Sequence, residues 1–223
     1  KLHLAQSLAH GTLYVNRNVD EDDSVESYTG KIFESAMASL DQVHHSLDMS
    51  AINRAVDLLT QAKKIAFFGL GSSAAVAHDA MNKFFRFNVP VIYSDDIVLQ
   101  RMSCMNCNDD DVVVIISHTG RTKSLVELAQ LARENDAMVI AITSPGTPLS
   151  RESTLAITLD VPEDTDIYMP MVSRLAQLTV IDVLATGFTL RRGAKFRDNL
   201  KRVKEALKES RFDKELSVHS NDQ

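Results

Sequence analysis

An unbroken apolar run, Val112-Val113-Val114-Ile115-Ile116, stops abruptly at Ser117-His118-Thr119-Gly120-Arg121-Thr122. A run with no polar residue at alternate positions predicts a strand buried on both faces, as the strands of parallel sheets are. After the hydroxyl-rich turn, Leu125, Leu128, Ala129, Leu131 and Ala132 recur at helical spacing, so the turn joins a strand end to a helix start. The alternation repeats along the chain. Lys64-Ile65-Ala66-Phe67-Phe68 predicts a strand running into Gly69-Leu70-Gly71-Ser72-Ser73; a helix follows over 74–87, and a short strand over 91–93. Residues 96–105 read as a helix with Ile97, Val98 and Met102 inward, 137–142 as another buried strand ending in the turn Thr143-Ser144-Pro145-Gly146, and 154–159 as a fifth strand. Strands alternating with helices in this way predict an α/β fold built on a parallel sheet.

Helical patterns flank this unit. From Ser24 onward Val25, Ile32, Phe33, Ala36, Met37, Leu40, Val43 and Leu47 fall on one broad stripe. A second helix over 50–62 gathers Ile52, Ala55, Val56, Leu58 and Leu59, with Ser50 as its cap. Beyond a loop over 162–166, residues 171–190 carry little charge besides Arg174 and Asp182. At roughly 20 residues this segment has the length of a membrane span, but Arg174, Gln177, Thr179 and Asp182 make it a core or subunit-interface helix. So apolar a helix needs cover, and homodimerisation through it is expected. A basic amphipathic helix over 195–209 follows; Glu205 and Glu209 interrupt its cations, which marks a solvated face. At the other end Leu2, Leu4, Ala5 and Leu8 share a face, and the polar run from Asn16 to Ser24 reads as a linker. In a chain that opens on Lys1, a scrap of helix before a linker is expected to be the end of a preceding domain. The organisation expected is therefore 1–23 as that end plus linker, 24–212 as the α/β domain, and 213–223 as a disordered tail.

With 223 residues, 44% hydrophobic and 24% charged, the chain can bury a sizeable core. A net charge of −6 and a pI near 5.6 argue against a wide nucleic-acid interface on this segment and point to a small ligand. No membrane-span or signal-peptide pattern is present in it. Two cysteines make no disulfide framework, and a reducing, cytoplasmic setting is expected. They form Cys104-Met105-Asn106-Cys107, with no second ligand pair to complete a zinc site. The acidic run after them, Asp109-Asp110-Asp111, raises rather than lowers a thiol pKa, so a structural role is expected and neither metal nor cofactor is invoked.

The chemistry lies in the two turns. In an open α/β sheet, ligands bind beyond the carboxyl ends of the strands, where a helix N-terminus offers unpaired N–H groups and partial positive charge to a phosphate. Ser117, Thr119, Thr122 and Ser124 add hydroxyl donors, and Gly120 lets backbone approach closely. Gly69-x-Gly71-x-x-Ala74, with Asp95 or Asp96 downstream, also passes as a dinucleotide fingerprint, but a second hydroxyl turn has no use in a dinucleotide fold. Ser72 and Ser73 either cap the helix after them or bind ligand. His118 is a ligand-facing donor, a general base, or a turn residue using its backbone alone. Arg174 needs a partner in an apolar helix, either a ligand carboxylate or a carboxylate on another helix. Arg121, Lys83 and Arg86 read as solvent-facing.

On Gly69-Leu70-Gly71-Ser72-Ser73 and Ser117-His118-Thr119-Gly120-Arg121-Thr122, residues 50–190 resemble the SIS (sugar isomerase) domain. The family pattern at the second loop is Ser-x-Ser-Gly-x-Thr, and Thr119 at its second serine keeps the hydroxyl. The resemblance implies a five-stranded parallel αβα sandwich, flavodoxin-like, with Gly71, Ser72, Ser73, Ser117, His118, Thr119, Gly120 and Thr122 around a phosphosugar. With the flanks and Ser173-Arg174-Leu175-Ala176-Gln177-Leu178, the chain is similar to the effector half of RpiR-type bacterial repressors, specifically regulators of hexose catabolism. That implies a preceding helix-turn-helix domain, through which alone DNA is contacted, and 2-keto-3-deoxy-6-phosphogluconate as effector. The competing class is a phosphosugar aldose–ketose isomerase, for which His118, Glu163 and Asp166 are the acid–base candidates.

Overall fold

The computed structural model describes residues 19–161, 163 and 170–208. The apolar runs become β1 (Lys64–Gly69), β2 (Val91–Ser94), β3 (Asp111–Ser117), β4 (Met138–Thr143) and β5 (Leu155–Thr158). They form one sheet in the order β2-β1-β3-β4-β5, every neighbouring pair parallel. Two helices, α1 (Val25–Ser46) and α2 (Met49–Gln61), precede β1; α3 (Ser72–Phe84), extended by a 3-10 turn over Phe85–Phe87, links β1 to β2. Then α4 (Ile97–Met105), α5 (Lys123–Glu134) and the single turn α6 (Pro148–Arg151) follow β2, β3 and β4, and α7 (Val172–Lys208) follows β5. The expected segments 2–8, 213–223 and most of 162–166 lie outside the described residues.

β3 is buried at all its positions because both faces of the sheet are covered. Val112, Val114 and Ile116 point into a core shared with α1, α2, α3 and α7, and Val113 and Ile115 into a second core shared with α4, α5 and α6. The sandwich is therefore αβα, as the run of apolar residues in β3 required. Phe84, Phe87, Phe188 and Phe196 pack with ring centroids 5.0–5.8 Å apart, Phe87 stacked on Phe188 and the other pairs edge to face, and fasten α3 to α7. At Gly193, where φ is 76°, α7 breaks between its apolar and basic parts. Among the described residues no helix is long and apolar enough to cross a membrane.

Some expectations shift. Val98 and Met102 are 61% and 56% exposed rather than inward; Gln100 and Cys104 are the buried residues of α4. The phase is set by hydrogen bonds: Asp96 caps the helix, accepting from the Val98 and Leu99 amides, and Gln100 Nε2 donates to the Ser94 and Gly69 carbonyls. On α1, Val43 is buried, but Phe33 and Met37 at the other end of the stripe are exposed, since a single layer cannot cover so wide a stripe. Asp48, not Ser50, caps α2. Lys83 is held between Asp79 and Asp182 rather than solvated, which also gives Asp182 its partner.

Candidate functional site

β1 and β3 are neighbours, with Gly69 level with Ile116. The chain leaves β1 for β2 on one side and resumes at β3 on the other, so the turns after β1 and β3 emerge side by side at the topological switch point of the sheet. Gly69 lies against the first turn of α3: a Cβ there would stand 2.7 Å from the Ser73 carbonyl oxygen. The first turn is thus drawn tightly onto the strand end.

Both helices that begin here are open. Gly71 is the N-cap of α3 and Thr122 that of α5, and neither start has a side-chain cap. By contrast, α1, α2, α4 and α6 are capped by Ser24, Asp48, Asp96 and Thr147. Ser72 and Ser73 make no side-chain cap at this start. Ser73 sits 8% exposed in the first turn of α3, and Ser117 5% exposed at the end of β3. Two helix N-termini that leave their amide groups uncapped, with hydroxyls beside them, suit an anion.

The second turn is held from below. Ser117 Oγ accepts from the Gly120 amide at 3.2 Å, and Thr119 Oγ1 from the Arg121 amide at 3.4 Å. The His118 and Gly120 carbonyls accept from the Ser144 and Leu149 amides at 2.9 and 3.1 Å, tying the turn to the one after β4. Gly120 adopts a φ of +57°, and a Cβ on it would meet the hydroxyls of Thr143 and Thr147. This is the physical reason for glycine at that position.

His118 uses its ring as well as its backbone: Nε2 donates to the Glu163 carbonyl at 3.3 Å. A carbonyl, not a carboxylate, orients it, leaving Nδ1 as the acceptor of that tautomer. The Glu163 carboxylate turns the other way and accepts from the Met171, Val172 and Ser173 amides at 2.7, 2.8 and 3.2 Å, closing the start of α7. Burial pushes its carboxyl up, but the bonds it accepts from Ser173 and from the Met171 and Val172 amides outweigh this and hold it below its ordinary value. Glu163 thus links the His118 turn to α7. That link joins positions 45 residues apart, and nothing local in the sequence signals it. Arg174, next in sequence after Ser173, is half-buried, and its Nε is enclosed and without a partner among the described residues.

A group whose folded pKa is depressed contributes stability above its unfolded value and loses it as pH falls through the folded one. Glu163→Gln is therefore expected to cost about 1 kcal/mol at neutral pH, the worth of a helix cap. The deficit relative to the parent chain should shrink as pH falls below the ordinary glutamate value of 4.5. Denaturant unfolding of both chains at pH 7 and pH 4 checks this; an equal deficit at both would remove the charge from the account.

The cysteines stand apart from this site. Burial pushes the Cys104 thiol up to about 12 and raises Cys107 as well, the signature of packed rather than reactive thiols.

Comparison with known proteins agrees with the fold. Residues 58–187 match the SIS domain family. The chain is 90% identical over 222 residues to the HTH-type transcriptional regulator HexR of Escherichia coli, covering 100% of this chain and 77% of that protein. It is 56% identical to HexR of Pseudomonas aeruginosa over 95% of this chain and 74% of that protein. Among solved structures, Vibrio vulnificus NanR complexed with ManNAc-6P superposes with a TM-score of 0.75 at 24% identity, over 82% of this chain and 69% of that one, a likeness of fold. The chain belongs to the SIS domain family and, within it, to the HexR-type regulators of the RpiR family.

Proposed function

We propose that this chain is the effector-binding part of a regulator of sugar catabolism, which binds a phosphorylated sugar acid, 2-keto-3-deoxy-6-phosphogluconate, without converting it. The observation that carries the reading is the pair of uncapped helix N-termini, α3 and α5, side by side beyond β1 and β3. The phosphate sits between them, on Gly71, Ser72 and Ser73 from one turn and Ser117, His118, Thr119, Gly120 and Thr122 from the other. Arg174 answers the sugar carboxylate, consistent with its unpartnered Nε. Ligand binding would reach the rest of the protein through α7, which packs against α1, α2 and α3. A ligand that prefers one arrangement shifts the population toward it, and with it the preceding helix-turn-helix domain's hold on DNA.

The protein is expected to work in the cytoplasm as a homodimer or higher homo-oligomer. Leu175, Val183 and Leu190 on α7 and Val25, Phe33 and Met37 on α1, two helices packed on each other, are exposed, and apolar side chains left uncovered on such helices suit a subunit interface. Sedimentation velocity is expected to give twice the chain mass of 24.7 kDa; a concentration-independent monomer would remove the dimer.

Isomerisation requires an acid and a base in mutual reach. Glu163 is held ionised by the start of α7, and His118 is oriented by a carbonyl, which favours holding a ligand over moving its protons. The test is a thermal-shift titration, with an external dye because the chain has no Trp, against 2-keto-3-deoxy-6-phosphogluconate, glucose 6-phosphate, inorganic phosphate and NAD. At a hundredfold excess over Kd the sugar acid is expected to add about 2.7 kcal/mol, roughly 5–10 °C for a chain of this size. A rise with another hexose phosphate alone, or turnover of it, would replace the sensor with an isomerase; a rise with NAD alone would restore the dinucleotide reading.

A further inference from the structure

The last two turns of α1 carry Asp41, His44 and His45, a cluster that no contact of the phosphosugar site uses. Asp41 precedes the two histidines by three and four residues, the spacings that bring helical side chains together one turn apart. One ligand atom from each lies within 4.8 Å of the other two, and all three residues are exposed. The His44 and His45 rings meet edge to face with centroids 5.3 Å apart. His45 Nδ1 donates to the Asp41 backbone carbonyl at 2.8 Å. This selects the tautomer with a free Nε2 lone pair, and metal-bound imidazoles characteristically donate their other N–H to such an acceptor; Nδ1 also stands 3.5 Å from Asp41 Oδ1, so ligation through Nε2 requires the exposed Asp41 and His45 side chains to turn toward a common point. The cluster also stands at a helix C-terminus, where the macrodipole favours positive charge.

We propose that Asp41, His44 and His45 form a site for a transition-metal dication of the zinc class, with water completing a tetrahedral shell. Two imidazoles and one carboxylate suit zinc or cobalt, whereas calcium and magnesium take oxygen ligands. Bonds of about 2.0–2.1 Å require the ligand atoms to draw closer than they stand, and rotation of exposed side chains supplies that movement without moving the helix. The bound ion would clamp the end of α1 just before the Leu47–Asp48 junction into α2.

The test is titration of the whole chain with cobalt(II). One saturable equivalent is expected, with visible d–d bands, no thiolate charge-transfer band, and displacement by zinc. His44→Ala with His45→Ala changes only exposed positions; it should leave the circular dichroism unchanged and weaken binding more than about tenfold. Cys104→Ser with Cys107→Ser should bind as the parent does. The proposal is overturned by the absence of saturable binding, by binding that survives in the histidine variant, or by binding that disappears in the cysteine variant.

Discussion

Replacing Ser73 and Ser117 together by alanine is expected to abolish the stabilisation of the chain by its phosphosugar while leaving the fold intact. Ser73 lies in the first turn of the uncapped α3, and Ser117 at the end of β3, where the turn leading to the uncapped α5 begins. Hydrogen bonds to a charged group contribute about 1.5–3 kcal/mol each, so losing both weakens binding by more than about a hundredfold. The free chain changes less. Ser73 makes no capping bond, and Ser117→Ala removes one acceptor, that of the Gly120 amide, at about 1–3 kcal/mol. Calorimetric titration of parent and double variant, with circular dichroism of both, checks the result; parent-like affinity in the double variant would displace the site from these two turns.

Gly120→Ala is expected to destabilise the chain by about 2–5 kcal/mol, from the left-handed backbone an L-residue resists and from overpacking. The backbone is at φ +57°, and the new methyl would fall on the Thr143 and Thr147 hydroxyls, which hydrogen-bond each other at 3.2 Å. Neither can retreat easily, because Thr147 also caps α6 and Thr143 ends β4. The displaced turn would carry His118 and Thr122 with it, so binding should fall along with stability. Gly120→Ala with Thr147→Ser is a useful companion, since removing one methyl beside the new one is expected to recover little while the backbone remains left-handed. Urea unfolding reads the loss; a variant within about 0.5 kcal/mol of the parent, the scale of an inert surface change, would mean the turn adjusts freely.

What could be read from the chain alone follows from how local the cause is. The five strands and their parallel arrangement were legible because burial on both faces leaves runs such as Val112–Ile116 with no polar interruption. The two turns were legible because glycine and hydroxyl residues are concentrated at strand ends. Orientation was less legible where a polar residue decided it: α4 turns Gln100 inward to reach the Ser94 and Gly69 carbonyls, leaving Val98 and Met102 outside. The broad stripe on α1 predicted a buried face, yet its Phe33 end is exposed; apolar periodicity reports that a face needs cover, not what supplies it. Glu163 could be named as a titratable residue near a loop, but its grip on the first amides of α7 and its carbonyl under His118 depend on contacts between distant segments.

The same distinction separates the phosphate from the sugar acid. Uncapped helix starts and adjacent hydroxyls specify an anion by elementary electrostatics. The proposed sugar acid draws on less: the enclosed Arg174 Nε, which has no partner among the described residues, and kinship with HexR.

The most direct test of the central claim is phosphorus-31 NMR of 2-keto-3-deoxy-6-phosphogluconate titrated with the chain. The phosphate resonance is expected to shift and broaden in a saturable way, to return to its free position in the Ser73→Ala, Ser117→Ala chain, and never to be joined by a second phosphosugar signal. A resonance that stays sharp and unmoved at excess protein would contradict phosphate binding at the β1 and β3 turns, and a new signal growing with time would contradict a sensor that leaves its ligand unchanged.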